Sequence, residues 1–396
     1  MKVAIVAPHF HPRAGGVETY TLNIATRLVT LGWQVVIVTT GETQSGERHS
    51  VAGMPVYRLP IAVTVSNTPV GFRWRHRLAR IFDDERPDVI NAHTPVPYLA
   101  DMAQRASGPI PFVLTYHNDL AKEALLAKVA VETLQHTLID RTLRRANRII
   151  ATSDYYVRES RYLRRYESKI SVVPPGVDLA TFNPDVQVPA DLARSYAGNR
   201  VILFVGSLNK SQQYKGLDVL ISAFGHVHAK SPDVRLVIAG AGDGLGMYRQ
   251  AAVAAGVADH VDFPGYVAHD KLASYYKLAR VFAMPSTSRT EGFGMVHVEA
   301  GAVGTPVIGS RIGGVPYAVR DNETGLLVSP RDVGDLERAL RHLLDDAQLA
   351  RRLGDAAATR ARAEFGWHSL ARRTSEVLEA TRQQVTALGQ EYARDT

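Results

Sequence analysis

The chain has no cysteine among its 396 residues. That excludes a disulfide scaffold, a thiolate zinc site and a cysteine nucleophile, and it fits a reducing cytosol. No stretch approaches the eighteen or so unbroken apolar residues of a spanning helix. The opening "MKVAIVAPHF" is too short for a signal h-region and runs straight into Pro-His-Phe-His-Pro. These features predict a cytoplasmic protein, at most peripheral to the inner membrane face. The dinucleotide spacing G-x-G-x-x-G is missing after the first apolar run, where "AGGVETY" stands instead. That counts against a nicotinamide enzyme.

Net charge is +7 and unevenly spread. The first 182 residues hold 22 lysines and arginines against 16 acids; the remainder hold 24 against 23. A basic half can attract nucleic acid, anionic lipid or a phosphorylated substrate, and it also describes a solvated helical surface. "GFRWRHRLARIF" (71–82) interleaves arginine with Phe72, Trp74, Leu78, Ile81 and Phe82, and "RTLRRANR" and "RESRYLRRYESK" add further charge. Together these stretches can form a face for peripheral contact with an anionic membrane. A nucleic-acid-binding protein is the distant alternative: charge alone supports it, without stacking aromatics or a recognition motif, so no nucleic-acid partner is expected.

The residue pattern predicts two α/β halves. In the first, apolar runs at 3–7, 35–39, 88–93, 111–117, 148–153 and 170–178 read as buried strands. A helix carrying Val17, Ile24, Leu28 and Leu31 on one face follows the first strand and ends at Gly32. Residues 120–148 read as a long helix or a helix pair. "PPGVDLATFNPDVQVPADLARSYAGNR" lacks periodicity and reads as a linker. A second series has strands near 200–208, 234–240, 261–263, 281–285, 306–310 and 325–329, and is helical from about 332 onward. Alternation of this kind implies doubly wound parallel sheets, which bind ligands beyond the carboxyl ends of their strands.

Several loops at such strand ends carry chemistry. Gly15-Gly16 precedes a helix, where paired glycines let backbone approach a ligand; a plain turn explains them equally. "AGAGDG" (239–244) is Gly-rich but reads first as a tight connection. Lys210 and Lys215 precede a helix whose dipole they oppose, which suits phosphate, although surface lysines are common. His117 ends a strand. "TEGFGMVHVEA" sets Glu291 on a Gly-Phe-Gly turn and Glu299 about one turn into a helix starting near Met295. Amides at Phe293, Gly294 and Met295 can cradle a diphosphate or a sugar hydroxyl, and a carboxylate accepts well from a diol. Acidic residues are also favoured at any helix N-terminus.

Taken together, "GGVETYTLNIATRLVTLGWQVVIVT", "TYHND", "VVPPGVDLATFNP", "YKGLDVLISAF", "LVIAGAGDG", "MPSTSRTEGFGMVHVEAGAVGTPVIGS" and "GGVPYAVRDNETGLLV" resemble the retaining glycosyltransferases of family 4 over nearly the whole length. The resemblance implies a GT-B fold: two Rossmann-like, doubly wound parallel-sheet domains facing across a cleft. Residues 1–182 would bind the acceptor and 183–366 the nucleotide-sugar donor, with a helix from about 367 to 396 crossing back.

The resemblance also assigns roles. Glu291 and Glu299 match the family's E-x7-E acids, for sugar hydroxyls and the ribose diol respectively. Gly292, Phe293, Gly294, Met295 and Val296 would line the sugar and diphosphate. Lys215 matches the phosphate-binding lysine. Gly16 would let its loop close over the diphosphate or acceptor. His117 would lie by the anomeric centre, with Gly15 and Asn118 beside the acceptor. Ser207 departs from the family, which has arginine there, and Lys210 is the candidate substitute cation. Implied is metal-free, front-face transfer of a hexose, with no cofactor, to a glycan, lipid-linked or small-molecule hydroxyl acceptor. A GT-B epimerase, hydrolase or phosphorylase is the alternative.

Overall fold

The computed structural model describes residues 1–13, 15–41, 48–65, 68–119 and 135–394. The chain separates into two compact units, Met1–Pro175 with Trp367–Thr396, and Gly176–Gly366.

Among the described residues of the first unit the strands are β1 (Lys2–Val6), β2 (Gln34–Gly41), β3 (Arg48–Val51), β4 (Met54–Pro60), β5 (Val63–Val65), β6 (Thr68–Val70), β7 (Val89–His93), β8 (Phe112–Tyr116), β9 (Arg148–Ala151) and β10 (Ile170–Val172). Eight of them form one sheet in the order β10-β9-β8-β7-β1-β2-β4-β3, parallel except for β3. β7 and β8 are buried at every position, as strands covered on both faces must be. The helix Gly16–Thr30 buries Tyr20, Thr21, Ile24, Ala25 and Leu28 against this sheet side. Their spacing of three and four residues is the period of one helical face.

The helix Trp367–Arg394 completes the same unit, burying Trp367, Leu370, Ala371 and Leu378. Trp33 Nε1 donates to Ser375 Oγ at 2.8 Å, and the Arg373 guanidinium donates to the Val172 carbonyl.

Strands β3 to β6 have no counterpart in the sequence reading. β4 is only alternately buried and contains Pro55, Arg58 and Pro60, so no continuous apolar run marks it. Of the helix expected over 120–148, residues 120–134 lie outside the described residues; beyond them come a π-type turn, Gln135–Ile139, and the helix Asp140–Arg145.

The second unit holds β11 (Arg200–Val205), β12 (Val234–Ala239), β13 (Val261–Gly265), β14 (Val281–Met284), β15 (Val307–Ser310) and β16 (Leu326–Val328). They form a parallel sheet ordered β13-β12-β11-β14-β15-β16. The order reverses direction at β11 and β14, so the loops leaving those two strands sit side by side at the sheet's carboxyl edge.

The stretch after Pro175 is not a free linker. Phe182 is fully buried in the second unit's core, and Val177 N–H donates to the Phe365 carbonyl at 2.8 Å. The junction therefore falls at Pro175, ahead of residue 182, because Val177 and Phe182 both pack with the second unit. "AGAGDG" is a tight connection. Gly244 N–H donates to Leu208 O and Leu208 N–H to Ala241 O, both at 2.9 Å, and a Cβ on Gly240 would stand 1.9 Å from Gly206 O.

Candidate active site

The loop after β11 runs through Gly206 and Ser207 into a 3-10 turn, Lys210–Lys215, which ends on Gly216 at φ 72°. A Cβ on Gly216 would lie 2.0 Å from Pro285 O, so only glycine lets this loop touch the one after β14. Thr287 N–H clips the two together by donating to Tyr214 O at 2.6 Å. The loop after β14 is held from its other side: Gly314 N–H donates to Glu291 O at 2.9 Å, and a Cβ on Gly314 would stand 1.9 Å from Gly292 O. Three strand-end loops thus fix the position of Glu291.

Glu291 is half-buried. Desolvation raises its carboxyl pKa; the Lys215 ammonium, the Gly294 amide and the nearby Ser286 hydroxyl oppose the shift. That hydroxyl is buried and, among the described residues, has no other hydrogen-bond partner. Glu299 is 7% exposed and accepts from Tyr276 Oη at 3.0 Å. Burial raises its pKa too, against the fields of His269, the tyrosine hydroxyl and Lys215. The charge of Lys215 bears on both glutamates and on His297. It is itself half-buried, with its stem against Gly206.

The helix Met295–Ala302 starts at Gly294, φ 82°. His297 braces that start: Nδ1 lies 3.1 Å from Gly294 O and Nε2 lies 3.2 Å from Met284 O. Burial pushes its pKa down to about 4. Sequence reasoning missed this residue; its only signal was one polar side chain inside the run "MVHVEA". Phe293 is buried against Phe365 and Tyr317, whereas Met295 and Val296 are half-buried at the helix mouth, where first-turn amides lack intrahelical acceptors.

The two lysines part company here. Lys210 is exposed and is held by its backbone N–H to the Asp243 carboxylate at 2.7 Å. Lys215 is the lysine whose charge opposes the burial of both acids. Ser207 Oγ accepts from Asn209 N–H at 3.4 Å.

In the first unit Gly15 and Gly16 are exposed, and Gly16 is the first residue of its helix. His117 lies just past β8, 7% exposed, and burial pushes its pKa down to about 3. Tyr20, one turn into the Gly16–Thr30 helix, sets its ring edge-on to His117 at 4.9 Å. The helix start and the histidine therefore occupy one locality, with half-buried Asn118 next in sequence.

Comparison with known proteins decides the family. The family model described as Glycosyltransferase Family 4 matches residues 14–181, and that described as Glycosyl transferases group 1 matches 193–360. The chain is 31% identical over 389 residues to a GDP-mannose-dependent alpha-(1-6)-phosphatidylinositol monomannoside mannosyltransferase of Mycobacterium tuberculosis, covering 95% of this chain and 98% of the relative. It belongs to the family 4 glycosyltransferases. A D-inositol 3-phosphate glycosyltransferase of Streptomyces avermitilis is 30% identical over 96% of this chain and 88% of its own length. Among solved structures, sucrose-phosphate synthase from Thermosynechococcus elongatus matches with TM-score 0.73 and 25% identity, covering 98% and 99% of the two chains.

The protein is thus a glycosyltransferase of GT-B fold. In its second unit the family 4 enzyme offers an ammonium, two desolvated carboxylates and a glycine-cornered helix start around one loop cluster. Such a set suits an anionic ligand bearing hydroxyls: the cation and amides for charge, the carboxylates for diols. Among the described residues there is no group of three or more histidine, aspartate or glutamate side chains able to hold a metal ion, and no helix long and apolar enough to cross a membrane.

Proposed function

We propose that this glycosyltransferase moves a hexose from a nucleoside-diphosphate sugar to a hydroxyl acceptor with retention and without a metal. The observation that carries the reading is the junction of two strand-end loops: Thr287 N–H donates to Tyr214 O and Gly216 packs on Pro285 O, which brings Lys215 to the loop of Glu291, where its charge opposes the burial of both glutamates. In this assignment Lys215 and the Gly294–Val296 amides hold the diphosphate. Glu299 takes the ribose diol, and Glu291 takes sugar hydroxyls. The residues Gly176–Gly366 form the donor unit. Gly15, Gly16, His117 and Asn118 of the other unit serve the acceptor and the anomeric carbon.

The chemistry follows from the leaving group. As the bond from C1 to the phosphate oxygen breaks, its electron pair stays on the diphosphate, and negative charge grows where Lys215 and the amides stand. Fixed charges of that kind stabilise the transition state without reorganising. The acceptor oxygen bonds to C1 on the same face, and its proton passes to the departing phosphate oxygen. No protein nucleophile is required. Lys215 and the amides supply the positive potential a metal ion provides elsewhere, which is the ground for metal independence.

GDP-mannose is the donor to test first, since the M. tuberculosis relative is named for it. Both relatives' names include an inositol acceptor, one in a lipid and one as a free phosphate. The proposed acceptor is accordingly a phosphorylated inositol. The basic first unit suits it, and Phe72, 80% exposed ahead of the arginine-rich helix Trp74–Glu85, suits a cytoplasmic enzyme touching an anionic bilayer. Transfer of radiolabelled mannose, with excess EDTA present, to phosphatidylinositol mannoside in vesicles or to inositol 3-phosphate in solution tests the assignment. No transfer to either, or strict loss with chelator, contradicts it.

A further inference from the structure

A buried polar chain in the first unit fixes which nitrogen of His117 carries its proton. It starts at Val113 O, a group that can only accept. Asn91 Nδ2 faces it at 3.3 Å and also donates to Thr115 Oγ1 at 2.8 Å, so Asn91 presents Oδ1 to His93 Nε2, 3.1 Å away. His93 Nε2 must therefore carry a hydrogen. His93 is completely buried, and burial holds it neutral, far below its ordinary pKa, so its Nδ1 is a bare lone pair. Thr21 Oγ1 lies 3.1 Å from that Nδ1 and 2.8 Å from Val17 O; since Nδ1 carries no hydrogen, the hydroxyl turns its proton toward Nδ1 or shares it between the two acceptors.

His117 Nε2 stands 3.3 Å from the same Nδ1. Two lone pairs would repel there, so His117 Nε2 carries the hydrogen and its Nδ1 is bare. Tyr20 packs edge-on against both imidazoles, at 5.7 and 4.9 Å, and keeps the rings from turning. His93 has no exposed surface, whereas His117 retains some.

We propose that Asn91 and His93 are positioning residues that hold His117 as the Nε2–H tautomer, so that its Nδ1 accepts a hydrogen bond from a carbohydrate hydroxyl of the bound substrate. The substrate half of this rests on the placement of His117 at the anomeric carbon proposed above; the tautomer half does not. The device selects a donor group on the ligand: a hydroxyl is welcomed, and an ether or carbonyl oxygen at the same place meets a lone pair.

Two-bond 1H–15N spectra of the histidine rings in the full-length, 15N-labelled protein test it. The wild type is expected to show His117 with protonated Nε2 and bare Nδ1 at pH 7, and GDP-mannose together with acceptor should shift the Nδ1 resonance. Asn91→Leu should mix the tautomers of His93 and, through it, of His117. His93→Phe should lower kcat by about tenfold, with donor KM within about twofold, and should cost nothing further in a His117→Phe background. Protonated Nδ1 on wild-type His117 overturns the proposal, as does a His93→Phe loss that persists undiminished without His117. Full activity of His117→Phe overturns the substrate half alone, while the wild-type spectra still decide the tautomer. If both variants fail to fold, those spectra decide it unaided.

Discussion

Gly206 and Lys215 are in contact: a methyl group on the glycine would stand 3.2 Å from the lysine Cδ and 3.4 Å from its ammonium nitrogen. The absent side chain is what lets the ammonium reach over the end of β11. Gly206→Ala should displace the lysine stem, and the Phe204 ring edge at 3.3 Å, by a few tenths of an ångström and leave the fold alone. We expect kcat/KM to fall about tenfold and Tm to move by less than about 2 °C, against a loss of about 10²–10³ for Lys215→Ala. Steady-state transfer and thermal melts check both; wild-type rates in Lys215→Ala would remove the phosphate role.

Glu299→Gln is expected to stabilise the protein while weakening donor binding. Burial raises the folded-state pKa above the ordinary 4.5, so between those values the folded protein holds more protons than the unfolded one. Stability then falls as pH rises through that window and stays lowered above it. The neutral amide escapes the penalty and can still accept from Tyr276. Its Tm should exceed that of the wild type at pH 7, and the difference should close below about pH 4. A difference that grows on acidification would show the sign to be wrong.

The clamp on Glu291 has its own signature. Gly314→Ala would place a methyl against a main-chain oxygen, which cannot swing aside as a side chain does. Activity should fall by more than about a hundredfold through displacement of the 291–294 turn, and donor-induced thermal stabilisation should vanish with it. Retained donor stabilisation would show that the turn does not touch the nucleotide sugar.

Trp33→Phe removes one buried hydrogen bond, to Ser375, and keeps the ring's packing. The cost should be about 1 kcal/mol. Ser375 keeps its bond to Glu379 at 2.8 Å, so it is not stranded. Hydrogen exchange should quicken along Trp367–Arg394 and hardly at all in Gly176–Gly366. Uniform quickening would mean the tryptophan is not a local tether.

Much of this fold was legible because a parallel sheet covered on both faces must be written as unbroken apolar runs. β1, β2, β7, β8 and the inner strands of the second unit announce themselves that way, whereas its edge strand β13 carries Asp262 and an exposed Pro264. β4 does not: it pairs with β2 on one side and with the edge strand β3 on the other, is buried only at alternate positions, and so admits proline and arginine on its open face. The pairing of Glu291 with Lys215 was legible only through resemblance. Seventy-odd residues part them in sequence, and their meeting depends on β11 and β14 being sheet neighbours and on Gly216 permitting contact with Pro285. His297 and His93 were not legible at all. Each is a polar residue in an apolar run, and a brace differs from a mere core residue in the carbonyls and amides around it, which sequence does not order.

The path of the chain has a further consequence. It leaves the first unit at Pro175 and re-enters it only at Trp367, so the ribosome makes every residue of the second unit before it makes the helix that covers Tyr20 and Trp33. Nascent protein therefore carries the complete second-unit sheet while its earliest-made half still waits, apolar surface bare, for the helix Trp367–Arg394. Premature termination near residue 366 would strand that surface, and chaperone capture of such fragments would follow from topology alone.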